Sequence, residues 1–106
     1  MRIYTISGDE CFSTLDNNGY ILYYFTANWC KPCQSIWNDI IEISDRYTTI
    51  LFYKIDIDDE DNNEICEKCN IKSIPSFFLF NNRNFIQKME GANIDRLKDI
   101  LDKIKG

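Results

Sequence analysis

The sequence predicts an α/β fold, a three-layer α/β/α sandwich with a central mixed five-stranded sheet and four helices. Three observations lead there. The run Tyr20 to Thr26 is apolar on both faces, as a strand covered on each side by helices is, and Ile50 to Ile57 is a second apolar strand. Helical periodicities alternate with them, the pattern of parallel strands joined by crossovers. Further along, two strand-like runs are separated only by the polar cluster Asn81-Asn82-Arg83-Asn84, which predicts an antiparallel hairpin.

Taken in order, Arg2 to Ile6 alternates polar and apolar residues and reads as a short strand. Ser7-Gly8-Asp9-Glu10 has the Ser-x-x-Glu form in which two side chains satisfy free N–H groups at a helix start, so a helix is expected to about Leu15. Asp16-Asn17-Asn18-Gly19 stops it as a turn cluster. After the strand Tyr20 to Thr26, Ile36, Ile40, Ile43 and Tyr47 recur at helical spacing, with Asn38, Asp39, Glu42 and Asp45 elsewhere. They predict a long amphipathic helix from Gln34 to Tyr47. Following the strand Ile50 to Ile57, Asp58 to Asp61 supplies the cap and acidic first turn of a helix reaching about Asn70. Ile71 to Ile74 leads into Pro75, and Ser76 to Phe80 and Phe85 to Glu90 are the hairpin strands. The last helix opens at Gly91-Ala92-Asn93 with Asn93 as N-cap and buries Leu97, Ile100, Leu101 and Ile104. Asp95 early and Lys103 and Lys105 late match its dipole.

With 106 residues, 44% of them hydrophobic, the chain can bury one core, so residues 1–106 are expected to form one domain. A net charge of −5 argues against a nucleic-acid surface, which needs clustered Lys and Arg. No apolar run approaches the roughly 18 residues of a membrane span, and Met1-Arg2-Ile3 does not open a secretory leader. No membrane association and a cytoplasmic location are expected. Five cysteines, an odd count, fit free thiols plus one redox pair better than a disulfide framework in that setting.

The pair is Cys30 and Cys33, in the string Trp29-Cys30-Lys31-Pro32-Cys33 between a strand and a helix. The first turn of a helix presents unpaired N–H groups and partial positive charge, both of which favour thiolate over thiol. Cys30, expected to be the outermost sulfur, is the candidate nucleophile. Cys33, about one turn further in, is the resolving cysteine that attacks a mixed disulfide at Cys30. Pro32 has its φ set to a helical value and fixes the spacing of the sulfurs, and Lys31 adds a modest, screened stabilisation of the thiolate.

This string resembles the active site of the thioredoxin family, with Lys31 where a glycine is usual and Trp29 like the tryptophan that shields the site and contacts substrate. The segment Tyr47 to Asp59, the Ile74-Pro75 pair and Glu90-Gly91-Ala92-Asn93 resemble family segments in the same order. The resemblance implies a thioredoxin fold and a cis bond before Pro75. It also implies a substrate groove walled by Trp29, Ile74, Pro75, Gly91 and Ala92, in which the Ile74 backbone pairs with an extended segment. The chain departs from the family at Tyr24, where a buried aspartate behind the resolving sulfur is usual. A phenol titrates near ~10, so Tyr24 donates a hydrogen bond at neutral pH and is no ready base for Cys33. Water or Lys54, similar to a lysine that neighbours the aspartate, is then the candidate proton acceptor; alternatively Tyr24 packs as core and Lys54 extends to Asp56 or Asp58. Arg83 stands at the usual hairpin-turn glycine, and Asn38 at the proline that kinks the long helix, so a straighter helix is expected.

Cys66 and Cys69 form a second Cys-x-x-Cys, too far from the first for common zinc spacings. They are read as packed free thiols ahead of a regulatory disulfide, and Cys11 as buried. Asp56, Asp58, Glu60 and Glu67 approach calcium-loop spacing, but Asp61 holds the place that needs glycine, so no metal is expected. The resulting expectation is a monomeric dithiol–disulfide oxidoreductase that reduces protein disulfides, needs no cofactor and is re-reduced by a thioredoxin reductase. An oxidase or isomerase, or a redox-silent binding module on the same fold, is the alternative.

Overall fold

The apolar runs become the middle of a sheet. In the computed structural model, which describes residues 1–105, the strands are β1 (Ile3–Thr5), β2 (Tyr20–Thr26), β3 (Ile50–Asp56), β4 (Ser76–Asn81) and β5 (Asn84–Glu90). The helices are α1 (Glu10–Ser13), α2 (Lys31–Arg46), α3 (Asn63–Lys68) and α4 (Ile94–Lys105). The sheet runs β1-β3-β2-β4-β5, with β1, β3 and β2 parallel and β4 and β5 antiparallel to their neighbours. Strand β2 therefore has a partner along each edge and helices over each face, which is why Ile21 to Thr26 are all buried.

Alternation along β2 divides the core in two. Leu22 and Tyr24 pack with Phe52, Phe77 and Leu79 beneath Ile36, Ile40 and Ile43 of α2 and Leu97 and Leu101 of α4. Ile21, Tyr23 and Phe25 pack on the other face with Ile55, Phe78 and Phe80 against Cys11 of α1 and Ile65 of α3. The β2–β3 register sets Tyr24 beside Lys54 and Thr26 beside Asp56, so both strands end at one rim.

Several boundaries differ from those the sequence suggests. Helix α2 begins at Lys31 instead of Gln34 because the Cys30 sulfur caps it, and its 16 residues run through Asn38 to Arg46 without interruption. After α1 the chain tightens into a 3₁₀ turn, Thr14–Asp16, with Thr14 Oγ1 donating to Glu10 O at 2.6 Å and Tyr23 Oη to Cys11 O at 2.6 Å. Half of the expected Ser7–Glu10 exchange is present, the Ser7 N–H donating to Glu10 Oε1 at 3.4 Å.

The third helix opens as a 3₁₀ turn, Glu60–Asn62, capped by Asp59, and ends at Lys68. Here Asn62 turns inward, 1% exposed, donates to Asp56 O at 2.8 Å and accepts the Gly8 N–H at 3.0 Å. The hairpin turn shrinks to Asn82 and Arg83, both at positive φ (49° and 74°), since Asn81 and Asn84 pair through their backbones whatever their side chains. A register shift at Leu79/Phe80 leaves Ile86 as the extra residue of a bulge. Asn93 caps α4 by accepting the Arg96 N–H at 3.0 Å; the Lys105 side chain, expected to complement its far end, lies outside the described residues.

Candidate active site

Beyond Thr26 the chain turns sharply before α2. Three bonds hold this loop: Cys30 N–H to Ala27 O at 3.2 Å, Gln34 Nε2 to Asn28 O at 2.5 Å and Ile57 N–H to Thr26 O at 2.9 Å. Cys30 occupies the N-cap of α2 with extended backbone, followed by Lys31, Pro32 and Cys33 as the first helical residues. Oxygen side chains usually fill such a position. Here a sulfur does so, the Cys33 N–H donating to Cys30 Sγ at 3.2 Å. Cys30 and Cys33 are joined as a disulfide, their Cα atoms 5.2 Å apart. Once reduced, a Cys30 thiolate keeps both that N–H and the positive end of the helix dipole. Exposure separates the two residues little, 3% against 2%, so the outermost place expected of Cys30 is positional and is not visible as exposure in the disulfide form.

Around the sulfurs, Trp29 is 63% exposed and donates from Nε1 to Asp58 Oδ2 at 2.7 Å. Lys31 is exposed beside it. The Ile74–Pro75 peptide is cis, Ile74 packs against the cluster that contains both cysteines, and Pro75 O accepts the Gly91 N–H at 2.9 Å. Gly91 has φ +98°, a conformation glycine adopts freely, and Ala92 follows it, exposed. Ser73 Oγ donates to Glu90 Oε2 at 3.2 Å and ties the same two segments; Lys88 and Ser73 hold the Glu90 carboxyl below its usual range.

Behind Cys33 lies a cavity of about 300 Å³ lined by Tyr24, Thr26, Asn28, Cys33, Trp37 and Lys54, among others. The buried Tyr24 hydroxyl donates to Cys33 O at 3.4 Å. Burial pushes that hydroxyl above its ordinary value, against a smaller opposing effect of Thr26, so it stays protonated at neutral pH. Lys54 reaches neither Asp56 nor Asp58 as a direct ion partner; its Nζ lies 4.6 Å from the centre of the Trp37 ring.

The structure thus brings Cys30, Cys33, Tyr24 and Lys54 together, and separately joins Pro75 to Gly91. Sequence reasoning passed over Asp58 as an anchor for Trp29 and Trp37 as a neighbour of Lys54. The parallel β2–β3 register was the available signal for Asp58, because residues just past paired strand ends meet. The remaining cysteines form no disulfide: Cys11 is fully buried, and Cys66 and Cys69 are half-buried in the second core. Burial, with smaller help from Cys66, pushes the Cys11 thiol up to about 11; Cys69 is likewise pushed up to about 11, and Cys66 upward, by burial. Among the described residues no group of three or more His, Cys, Asp or Glu is placed to hold a metal ion. The acidic run caps its own turns, Asp56 Oδ1 accepting the Asp58 N–H and Asp59 Oδ1 the Asp61 N–H.

A disulfide whose leading sulfur already accepts a main-chain N–H at a helix start is set up to open and re-form, which places the chain among dithiol–disulfide oxidoreductases. The thioredoxin family model matches residues 3–103. Thioredoxin 1 of Plasmodium falciparum is 35% identical over 94 residues, covering 89% of this chain and 88% of that protein. Thioredoxin O1, mitochondrial, of Arabidopsis thaliana is 32% identical over 83 residues, 78% of this chain and 43% of that protein. The solution structure of oxidised Plasmodium falciparum thioredoxin superimposes with a TM-score of 0.88 at 32% identity, covering 98% of this chain and 99% of that one. The chain belongs to the thioredoxin family.

Proposed function

We propose that this protein reduces disulfides in protein substrates through Cys30 and Cys33 and is re-reduced by a thioredoxin reductase, acting as a monomer in the cytoplasm. The observation that carries the reading is the Cys33 N–H aimed at Cys30 Sγ, at 3.2 Å, in the first turn of α2. The Cys30 thiolate attacks one sulfur of a substrate disulfide, forming a mixed disulfide and releasing the first substrate thiolate. Cys33 then attacks Cys30 Sγ. The Cys30–Cys33 bond forms, the second substrate sulfur leaves as thiolate, and two electrons have passed from the pair to the substrate.

Trp29, Ile74, Pro75, Gly91 and Ala92 line the groove in which the substrate segment lies extended against the Ile74 backbone. Trapping tests the reading. Cys30→Ser abolishes reduction of a protein disulfide, whereas Cys33→Ser accumulates a mixed disulfide at Cys30, identified by mass spectrometry of the digested adduct. Wild-type activity in both variants sinks the assignment. Equilibration with glutathione separates the readings of the fold: a reductase settles near about −270 mV, an isomerase toward about −180 mV, and a binding module exchanges nothing.

A further inference from the structure

We infer that Trp37 positions the ammonium of Lys54 in the cavity behind Cys33, so that this site ionises its resolving thiol with a fixed positive charge where a carboxylate base is absent. The inference rests on the reading of Cys30 and Cys33 as the exchanging pair. Apart from Cys33 itself, the ionisable residues lining the cavity are Tyr24 and Lys54. Tyr24 cannot take the proton, because its buried hydroxyl holds its own at neutral pH.

Three aromatic rings and a cation form a column beside the resolving cysteine. Phe77 stacks on Tyr24 at 5.1 Å and 16°, Tyr24 on Trp37 at 6.2 Å and 18°, and Lys54 Nζ lies 4.6 Å from the Trp37 ring centre. Trp37 lies four residues after Cys33 in α2, hence on the same helix face, and Lys54 reaches the site from its place beside Tyr24 in the sheet. A ring face attracts the ammonium and so holds the Lys54 charge at the cavity. A cation beside a partly desolvated thiol favours thiolate.

The other charged groups near this rim, Asp56, Asp58 and Lys31, do not line the cavity. Asp56 of β3 accepts the Asp58 N–H, Asp58 accepts from Trp29, and Lys31 of α2 is exposed beside the sulfurs. The cavity is roomy and has polar walls at Thr26, Asn28 and Gln34, so water can enter and take the Cys33 proton. The Cys33 sulfur then attacks Cys30 Sγ, the bond from Cys30 to the substrate sulfur breaks, and the departing thiolate takes a proton from solvent.

The test titrates Cys33 by thiolate ultraviolet absorbance in the reduced Cys30→Ser background. There Cys11 and Cys69, pushed up to about 11, and Cys66, pushed upward by burial, ionise later. Lys54→Gln and Trp37→Leu are each expected to move the Cys33 midpoint up by about one pH unit, roughly tenfold less thiolate at pH 7. The double variant should move it no further than either alone, and Trp37→Phe, which keeps a ring face, should leave the midpoint close to that of the unaltered ring. An unmoved midpoint in Lys54→Gln overturns the charge; a shift in Lys54→Gln with none in Trp37→Leu overturns the positioning. If Trp37→Leu does not fold, the ring-current shift of the Lys54 ε-methylene protons in the unaltered protein decides, its absence refuting the contact. The titration uses no substrate, so its failure is distinct from failure of the protein to exchange disulfides.

Discussion

Cys30 caps the start of α2 and accepts the Cys33 N–H, whereas Cys11 is fully buried with the Asn62 side-chain oxygen as acceptor for its thiol. A thiol raised in the fold from 9.0 to about 11 keeps its proton over a pH range in which the unfolded chain has lost it. The stability it contributes is fully present below pH 9 and is lost as pH rises through 11, about 3 kcal/mol for Cys11. Urea midpoints compared at pH 8.5 and 10.5 should fall, and fall less in Cys11→Ala; equal losses in both proteins would exclude this thiol as the cause. Reactive and inert sulfurs were separable from sequence because a helix start is a local feature, readable from Cys30 to Cys33 and the pattern that follows. The Trp29–Asp58 and Trp37–Lys54 contacts were not, because each joins segments that only the sheet register brings together.

Arg83 shows what a single turn tolerates. With φ at 74° it holds a backbone that disfavours a Cβ, and its ion pair with Asp16, 3.7 Å and exposed, offsets little of that. Arg83→Gly should stabilise the protein by about 0.5–1 kcal/mol, a rise of roughly 2–5 °C in Tm, measured by circular dichroism. Asn62 is the opposite case: its amide holds Gly8, Cys11 and Asp56 together. Asn62→Ala leaves a part-buried N–H and a part-buried carbonyl without their partner and should cost roughly 1–3 kcal/mol in urea unfolding. A loss under 0.5 kcal/mol would mean that water replaces the amide. Element types were legible where side chains alone decide them, as in β2, β3 and α2. The 3₁₀ starts and stops around α1 and α3 were not, since bonds such as Tyr23 Oη to Cys11 O come from residues distant in sequence.

Two cores share one sheet, and strand β2 contributes to both, so neither can melt while the other stays intact. Unfolding in urea is therefore expected in one step, with coincident fluorescence and circular dichroism transitions; two resolved transitions would show that the layers are independent. The mixed topology was readable because the hairpin signal differs from the crossover signal. The order β1-β3-β2-β4-β5 then puts the ends of β2 and β3 and the start of β4 at the same rim. Since β4 runs away from the disulfide, its hairpin tip at Asn82 and Arg83 is the far pole of the molecule, pinned to Gly19 by paired bonds of 2.8 and 3.1 Å. A dye, a tether or a surface linkage attached at Arg83 would hold the protein by that pole and leave the reactive one turned outward, unobstructed, toward whatever approaches.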